Sequence, residues 1–376
     1  MTVFGTRPEA IKMAPLVGAL SVHPDLESIC CVTAQHREML DGVLRLFQIQ
    51  PQYDLNIMAQ RQSLSQITSR CLLGMDEVLQ EAKPDLVLVH GDTSTTFAGA
   101  LSAFYHTVPV GHVEAGLRTY DKYSPFPEEM NRTMVSALAE LHFCPTAANR
   151  DNLLREKTTG EIFVTGNTVI DALKTTVVRG YRFTDQRLNG LNFKNDKVIL
   201  VTCHRRENYG LPMQQIMLAL RDIAERFEDV QLVYPVHLNP VVREAAAKYL
   251  DGVPRVHLID PLPADEMHNL MALCHFVMTD SGGLQEEAPA LGKPVLVLRR
   301  ETERPEAVAA GTVRLAGVER EEIVSLATGL LSSQTEYEQM AKAVNPYGDG
   351  HACDRIVEGI LWHFGLNQEK PLDFVP

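Results

Sequence analysis

At 376 residues the chain exceeds what one hydrophobic core usually organises, so two lobes of ordinary domain size are expected. Hydrophobic content of 45% with 22% charged residues is that of a soluble globular protein, and a net charge of −13 argues against nucleic acid and anionic membrane surfaces as partners. No apolar run approaches the roughly 20 residues of a membrane span, and no basic segment followed by an apolar stretch and cleavage site opens the chain, so the cytoplasm is the expected compartment.

Thr2-Val3-Phe4 predicts a clipped strand and Gly5-Thr6-Arg7 a turn. Pro8 then suits the first position of a helix through Ile11, Lys12 and Leu16, which Pro15 should bend. Further strands are expected at 29–33, 86–90, 108–112, 141–143 and 162–165, with helices between them. Cys30-Cys31 falls inside the first of these. The seven cysteines are odd in number and form no CxxC pair, which points to buried thiols instead of a disulfide framework or a zinc site. A polar segment from Tyr181 to Asn195 suits a connection between lobes. A second series of strands then follows at 198–202, 230–236, 256–259, 275–279 and 295–298. The breaker Asn345-Pro346-Tyr347-Gly348-Asp349-Gly350 precedes a last amphipathic helix around 356–364, expected to cross back onto the first lobe. Short apolar runs alternating with helical patterns are the mark of parallel sheets covered on both faces. The expected fold is therefore α/β, with two doubly wound Rossmann-like lobes facing a cleft: residues 1–168 with 355–376, and residues 169–354.

Ligands of such sheets bind beyond the carboxyl ends of the strands, so the informative residues should follow strands. In the first lobe these positions hold Gly5-Thr6-Arg7, Gly91-Asp92-Thr93 and Val113-Glu114-Ala115-Gly116; in the second they hold Cys203-His204-Arg205-Arg206-Glu207 and Asp280-Ser281-Gly282-Gly283. Ser281-Gly282-Gly283 opens a short helix whose first amides make an anion site, and Glu286-Glu287, one turn on, could accept from ribose hydroxyls. Arg7 either solvates a turn or forks onto a phosphate. Asp92 is either a helix N-cap or a working carboxylate. Glu114 sits where a charge needs partners or a task. Glu128 and Glu129 after Pro127 are either first-turn acids or catalytic ones, and His237 either a structural histidine or a ligand contact.

The blocks GTRPEAIKMAPL (5–16), TAQHREML (33–40), HGDTSTTFAG (90–99), GHVEAGLRT (111–119), PEEMNR (127–132), GNTVIDAL (166–173), HRREN (204–208), YPVHLNP (234–240), TDSGGLQEEAPALGKPVLV (279–297), TERPEA (302–307) and NPYGDG (345–350) span nearly the whole chain. In that order they resemble the non-hydrolysing UDP-N-acetylglucosamine 2-epimerases of bacteria. The resemblance implies a two-lobed fold like that of the GT-B glycosyltransferases and interconversion of UDP-GlcNAc with UDP-ManNAc. It further implies a role in supplying ManNAc-derived sugars for surface polysaccharides. A homodimer is the expected assembly. The competing readings are a hydrolysing 2-epimerase that releases ManNAc and UDP, a glycosyltransferase of the same fold, and a catalytically silent UDP-sugar sensor.

The hydrogen on C2 of an N-acetylhexosamine has no neighbouring ketone to take up its electrons. Oxidation by a nicotinamide would supply one, but no GxGxxG follows a strand, so NAD is not expected as cofactor, nor, from the cysteine pattern, is a metal. Departure of UDP from C1 is the other route, and it calls for a cationic clamp and carboxylates around the ring. Arg7, Lys12, His204, Arg304 and Ser281-Gly282-Gly283 are expected to form the clamp, with Glu287 at the ribose. Asp92, Glu114 and Glu128 are expected at the sugar, Asp92 first as the base, and His204 is counted with the catalytic residues. The family also carries a second, activating UDP-GlcNAc site, for which Gln35, Arg61, Gln62, Arg206 and His237 match; Glu38 stands where some members have Gln.

Overall fold

The apolar runs fold into two all-parallel sheets in a computed structural model that describes residues 1–35, 37–59 and 62–376. The chain divides into two units, Met1–Thr175 with Tyr347–Pro376, and Thr176–Pro346. The sheet of the first unit contains β1 (Thr2–Phe4), β2 (Cys30–Val32), β3 (Tyr53–Asp54), β4 (Val87–His90), β5 (Val110–Val113), β6 (Leu141–Cys144) and β7 (Glu161–Val164). Its order is β3-β2-β1-β4-β5-β6-β7, so the winding reverses between β1 and β4. The second unit contains β8 (Lys197–Thr202), β9 (Val230–Pro235), β10 (Val256–Ile259), β11 (Phe276–Thr279), β12 (Val295–Val297) and β13 (Val313–Leu315). Its order is β10-β9-β8-β11-β12-β13, with the reversal between β8 and β11. A crevice forms where adjacent crossovers leave in opposite directions, and this topology puts the turns after β1 and β4, and after β8 and β11, at those points.

Two edge strands, β3 and β13, are absent from the sequence expectations. Both are short, and the two residues of β3 are half-buried or exposed, so neither has a readable pattern. The segment expected as a connection, from Tyr181 to Asn195, is instead built into the second unit. Phe183 and Leu188 are buried, Gln186–Asn189 is helical, and the Thr184 amide donates to Glu266 at 3.1 Å. The break after residue 168 expected from the sequence also lies one helix earlier than the division at Thr175. Helix Thr168–Thr176 carries Asp171, whose carboxylate accepts the amides of Ala352 and Cys353 and ties it to the C-terminal segment. The helix Ala352–His363 in turn buries Ile356 and Ile360 against Phe4, Met13 and Phe163, as the amphipathic pattern predicts.

Candidate active site

In the first unit, helix Arg7–Ser21 starts where β1 ends, with Thr6 as its N-cap and Glu9 closing a capping box. Glu9 does more than cap. One of its oxygens accepts the amides of Gly5 (3.0 Å) and Thr6 (2.7 Å), and the other accepts the hydroxyls of Thr93 (2.6 Å) and Thr96 (3.2 Å). The turn after β1, which carries Arg7, is thereby fastened to the turn after β4, which carries Asp92. Burial pushes the Glu9 carboxyl above its ordinary value, and the Thr93 and Thr6 hydroxyls with the Gly5 and Thr6 amides pull it back.

Asp92 is held by Arg132, whose Nε lies 2.8 Å and Nη2 2.6 Å from Oδ2. Arg132 is buried and also reaches Glu129, which accepts the amides of Thr119 and Tyr120. Glu129 is thus a structural anchor. Glu128, first residue of the same helix Glu128–Leu138, has a buried Oε2 with no hydrogen-bond partner among the described residues.

Glu114 follows β5 at φ 63°, a backbone region that costs a non-glycine residue roughly 1–3 kcal/mol and is kept where the surroundings enforce it. Its Oε2 pairs with Lys12 Nζ, accepts Asn167 Nδ2 at 3.0 Å and lies 3.6 Å from His90 Nε2. Lys12, expected in the cationic clamp, is thus paired with Glu114 in the first unit. Burial lowers the His90 imidazole to about 4, Glu114 only partly opposing it, so the ring is neutral at physiological pH.

In the second unit, helix Gly282–Ala290 begins directly after β11, and its N-cap Ser281 makes no side-chain cap. The Ser281 hydroxyl therefore does not occupy the helix's first amides, the donors an anion site uses. A Cβ placed on Gly282 would lie 3.7 Å from the guanidinium nitrogens of both Arg205 and Arg304. Arg304 is held in place by Glu286, whose carboxylate pairs with its Nε. Glu286 is thus spent on Arg304, while Glu287 is half-buried with an oxygen 3.4 Å from His268 Nε2.

His204 stacks on His237, ring centroids 5.2 Å apart and planes 15° from parallel. Asp280, wholly buried, accepts the amides of His204 and Arg205 at 2.8 Å and Asn208 Nδ2 at 3.0 Å, all on Oδ2. Tyr234 donates to the Cys203 carbonyl at 2.7 Å. Burial lowers the His204 imidazole, Asp280 pulling it up and His237 and Arg205 pushing it further down.

The residues matched to an activating site are divided between the two units. In the first unit Thr95 Oγ1 reaches Gln35 at 3.5 Å, Glu38 is exposed in the first turn of helix Arg37–Leu46, and Gln62 donates to the Ile57 carbonyl. In the second, Arg206 and His237 are exposed, and Arg61 lies outside the described residues. Among the described residues no cluster of His, Cys, Asp or Glu could hold a metal ion. Sequence reasoning missed Glu9, Arg132, Asp280 and Arg205. The signals were present as Glu at the third position of a capping box, and as Asp immediately before Ser-Gly-Gly.

A family model described as UDP-N-acetylglucosamine 2-epimerase matches residues 18–361. The UDP-N-acetylglucosamine 2-epimerase of Bacillus subtilis is 60% identical, covering 100% of this chain and 98% of its own. A Neisseria meningitidis UDP-GlcNAc 2-epimerase, solved bound to UDP-GlcNAc, superposes with a TM-score of 0.87 at 51% identity, covering 96% and 98% of the two chains. The Methanocaldococcus jannaschii enzyme, solved in complex with UDP-GlcNAc and UDP, gives 0.77 at 31% identity over 96% and 99%. Its two-lobe fold is that of these GT-B-like structures, and the chain belongs to the UDP-N-acetylglucosamine 2-epimerase family, a family of isomerases.

Proposed function

We propose that the chain interconverts UDP-N-acetylglucosamine and UDP-N-acetylmannosamine by eliminating UDP and adding it back. The C1–O bond breaks with its electron pair leaving on the diphosphate, a base takes the C2 proton, and the C1–C2 double bond of 2-acetamidoglucal forms. Readdition of UDP at C1 with protonation from the opposite face gives the epimer. The observation that carries this reading is the division of labour: carboxylates Asp92, Glu114 and Glu128 surround the turns of the first unit, while Arg205, Arg304 and the Ser281-Gly282-Gly283 turn gather in the second. The second unit then holds the nucleotide and stabilises the departing charge, as preorganised donors do. Bond chemistry falls to the first, with Asp92 as base, Glu114 assisting and Glu128 near the ring. Arg7, Lys12 and His204 complete the cationic set, and Glu287 takes the ribose.

The same reading includes activation by a second UDP-GlcNAc at Gln35, Glu38, Arg61, Gln62, Arg206 and His237. The stacking of His237 on His204 supports it, because an effector touching one ring would bear on the other. The reading also takes the chain to work as a homodimer in the cytoplasm, supplying ManNAc-type sugars for surface polysaccharide without NAD or metal. No described helix is long and apolar enough to cross a membrane.

Incubation with UDP-GlcNAc in deuterated water tests the proposal. Deuterium at C2 of both nucleotide sugars is the expected result. Failure of both deuterium entry and UDP-ManNAc formation overturns it, and free ManNAc with UDP would make the chain a hydrolysing epimerase.

A further inference from the structure

Asp280 stands between two loops that the proposed function uses. Its Oδ2 is saturated by three donors, the amides of His204 and Arg205 and Asn208 Nδ2. Those two amides are consequently directed at a protein carboxylate and are not open to an anion. Oδ1 of the same carboxylate is buried, has no hydrogen bond among the described residues, and lies 3.6 Å from His204 Nδ1. A wholly buried carboxylate oxygen is costly unless a donor or cation faces it. The His204 imidazole edge is a group that does, beside the buried Cys203 thiol, which also bonds this carboxylate.

We propose that Asp280 is a positioning residue for His204: it holds the ring with its Nδ1–H toward Oδ1, so that the second proton is taken on Nε2 and offered to the departing diphosphate. The idea rests on the assignment of His204 to the diphosphate. Its logic is that of any histidine whose far nitrogen is fixed by a carboxylate, which selects the tautomer and balances the charge of the imidazolium. The rest of the surroundings cooperate. His237 stacks on the ring face and restricts its tilt, its own Nδ1 accepting the Asn239 amide at 3.1 Å. Tyr234 secures the carbonyl just before the histidine. Rotation of His204 about χ2 is thus the freedom left for Asp280 to settle.

Asp280→Asn separates holding the loop from setting the tautomer. The asparagine oxygen can still accept from the His204 and Arg205 amides, while its NH2, replacing Oδ1, donates to Nδ1 and forces the proton to Nε2. The readout is long-range 1H–15N correlation of the His204 ring in protein labelled at histidine, the signal assigned by its loss in His204→Gln. In the wild-type chain at neutral pH the proton is expected on Nδ1, with both nitrogens protonated once UDP is added. In Asp280→Asn it is expected on Nε2 alone, with UDP present or absent. Epimerisation should show kcat lowered at least about tenfold with KM within about threefold, the pattern of a contact made in the transition state. A wild-type ring protonated on Nε2 at neutral pH overturns the inference, as does an Asn variant with unchanged tautomer and kcat. The tautomer needs no turnover to be read, so a chain that failed to epimerise would overturn the proposed function while leaving the Asp280 result to stand or fall alone.

Discussion

Arg132 grips Asp92 through a single oxygen, Nε at 2.8 Å and Nη2 at 2.6 Å from Oδ2, which leaves Oδ1 outside the pair. The arginine fixes the carboxylate's orientation, and Oδ1 is the oxygen left to take the C2 proton in the proposed elimination.

That geometry separates chemistry from scaffold. Asp92→Asn keeps an oxygen for Arg132 to bond, so the variant should fold and bind UDP while C2 deuterium exchange falls about 10²- to 10⁴-fold, the range of a lost general base. Arg132→Met, by contrast, leaves two carboxylates, Asp92 and Glu129, without their shared buried cation and should cost about 3–5 kcal/mol in urea denaturation. If Asp92→Asn instead abolishes UDP binding in a folded protein, Asp92 is structural.

Glu9 offers a sharper test of the turn. Gln in its place can keep its oxygen on the Gly5 and Thr6 amides and turn its NH2 toward the Thr93 and Thr96 hydroxyls, which can rotate to accept. Glu9→Gln should therefore be tolerated, whereas Glu9→Ala leaves two buried amides without their acceptor and should cost about 3 kcal/mol. The pH dependence has a definite sign. Because burial raises the Glu9 carboxyl above its ordinary 4.5, its favourable contribution is complete below that value and is lost as pH rises through the folded value. Gln does not titrate, so the stability of Glu9→Gln relative to the parent should improve from pH 4 to pH 8. Parallel stability curves would contradict the shift.

Much of the architecture was legible because parallel strands buried on both faces are written as continuous apolar runs, and Cys30-Cys31-Val32 or Val87 to His90 can be little else. Edge strands carry no such run; Tyr53–Asp54 is two residues with one polar. The 181–195 segment misled because its anchors, Phe183 and Leu188, are isolated among polar residues. At the site, residue types and their places after strands were readable, but partners were not. In Arg205-Arg206 two adjacent guanidiniums look alike, and the fold alone turns Arg205 toward Gly282 and leaves Arg206 exposed. Arg132 was hidden for the same reason, its partners being 40 and 3 residues away.

The buried histidines His90 and His112 predict acid sensitivity. Burial lowers His90 to about 4 and His112 to about 3, against an ordinary 6.5, and His112 keeps Nε2 on the Gly91 carbonyl at 2.8 Å. For a depressed histidine the folded state binds fewer protons, so its contribution is whole above 6.5 and is lost as pH falls toward the folded value, at about 1.4 kcal/mol per pH unit for each ring. His112→Gln, which can keep an N–H on that carbonyl, should flatten the stability curve between pH 6.5 and 4 by one proton's worth. Urea midpoints across that range measure it. An unchanged slope would mean the His112 ring is not held neutral by the fold.

Gly282 and Gly283 are adjacent, yet alanine should act differently at each. A methyl on Gly282 meets Arg205 and Arg304 nitrogens at 3.7 Å, ordinary contact distance, so Gly282→Ala should fold with a melting temperature close to the parent's. The methyl nevertheless lies against both guanidiniums, where a diphosphate oxygen would have to bond them, and UDP affinity should fall at least about tenfold, about 1.4 kcal/mol. At Gly283 the added carbon lies 3.1 Å from Glu287 Oε1, closer than normal packing, so the carboxylate must move by a few tenths of an ångström. Glu287 is assigned to the ribose, and Gly283→Ala should therefore weaken uridine binding while leaving competition by inorganic pyrophosphate untouched. Calorimetric titration of both variants with UDP and with pyrophosphate separates the cases. Equal losses for the two ligands at Gly283→Ala would move Glu287 away from the ribose and into the phosphate clamp's own support.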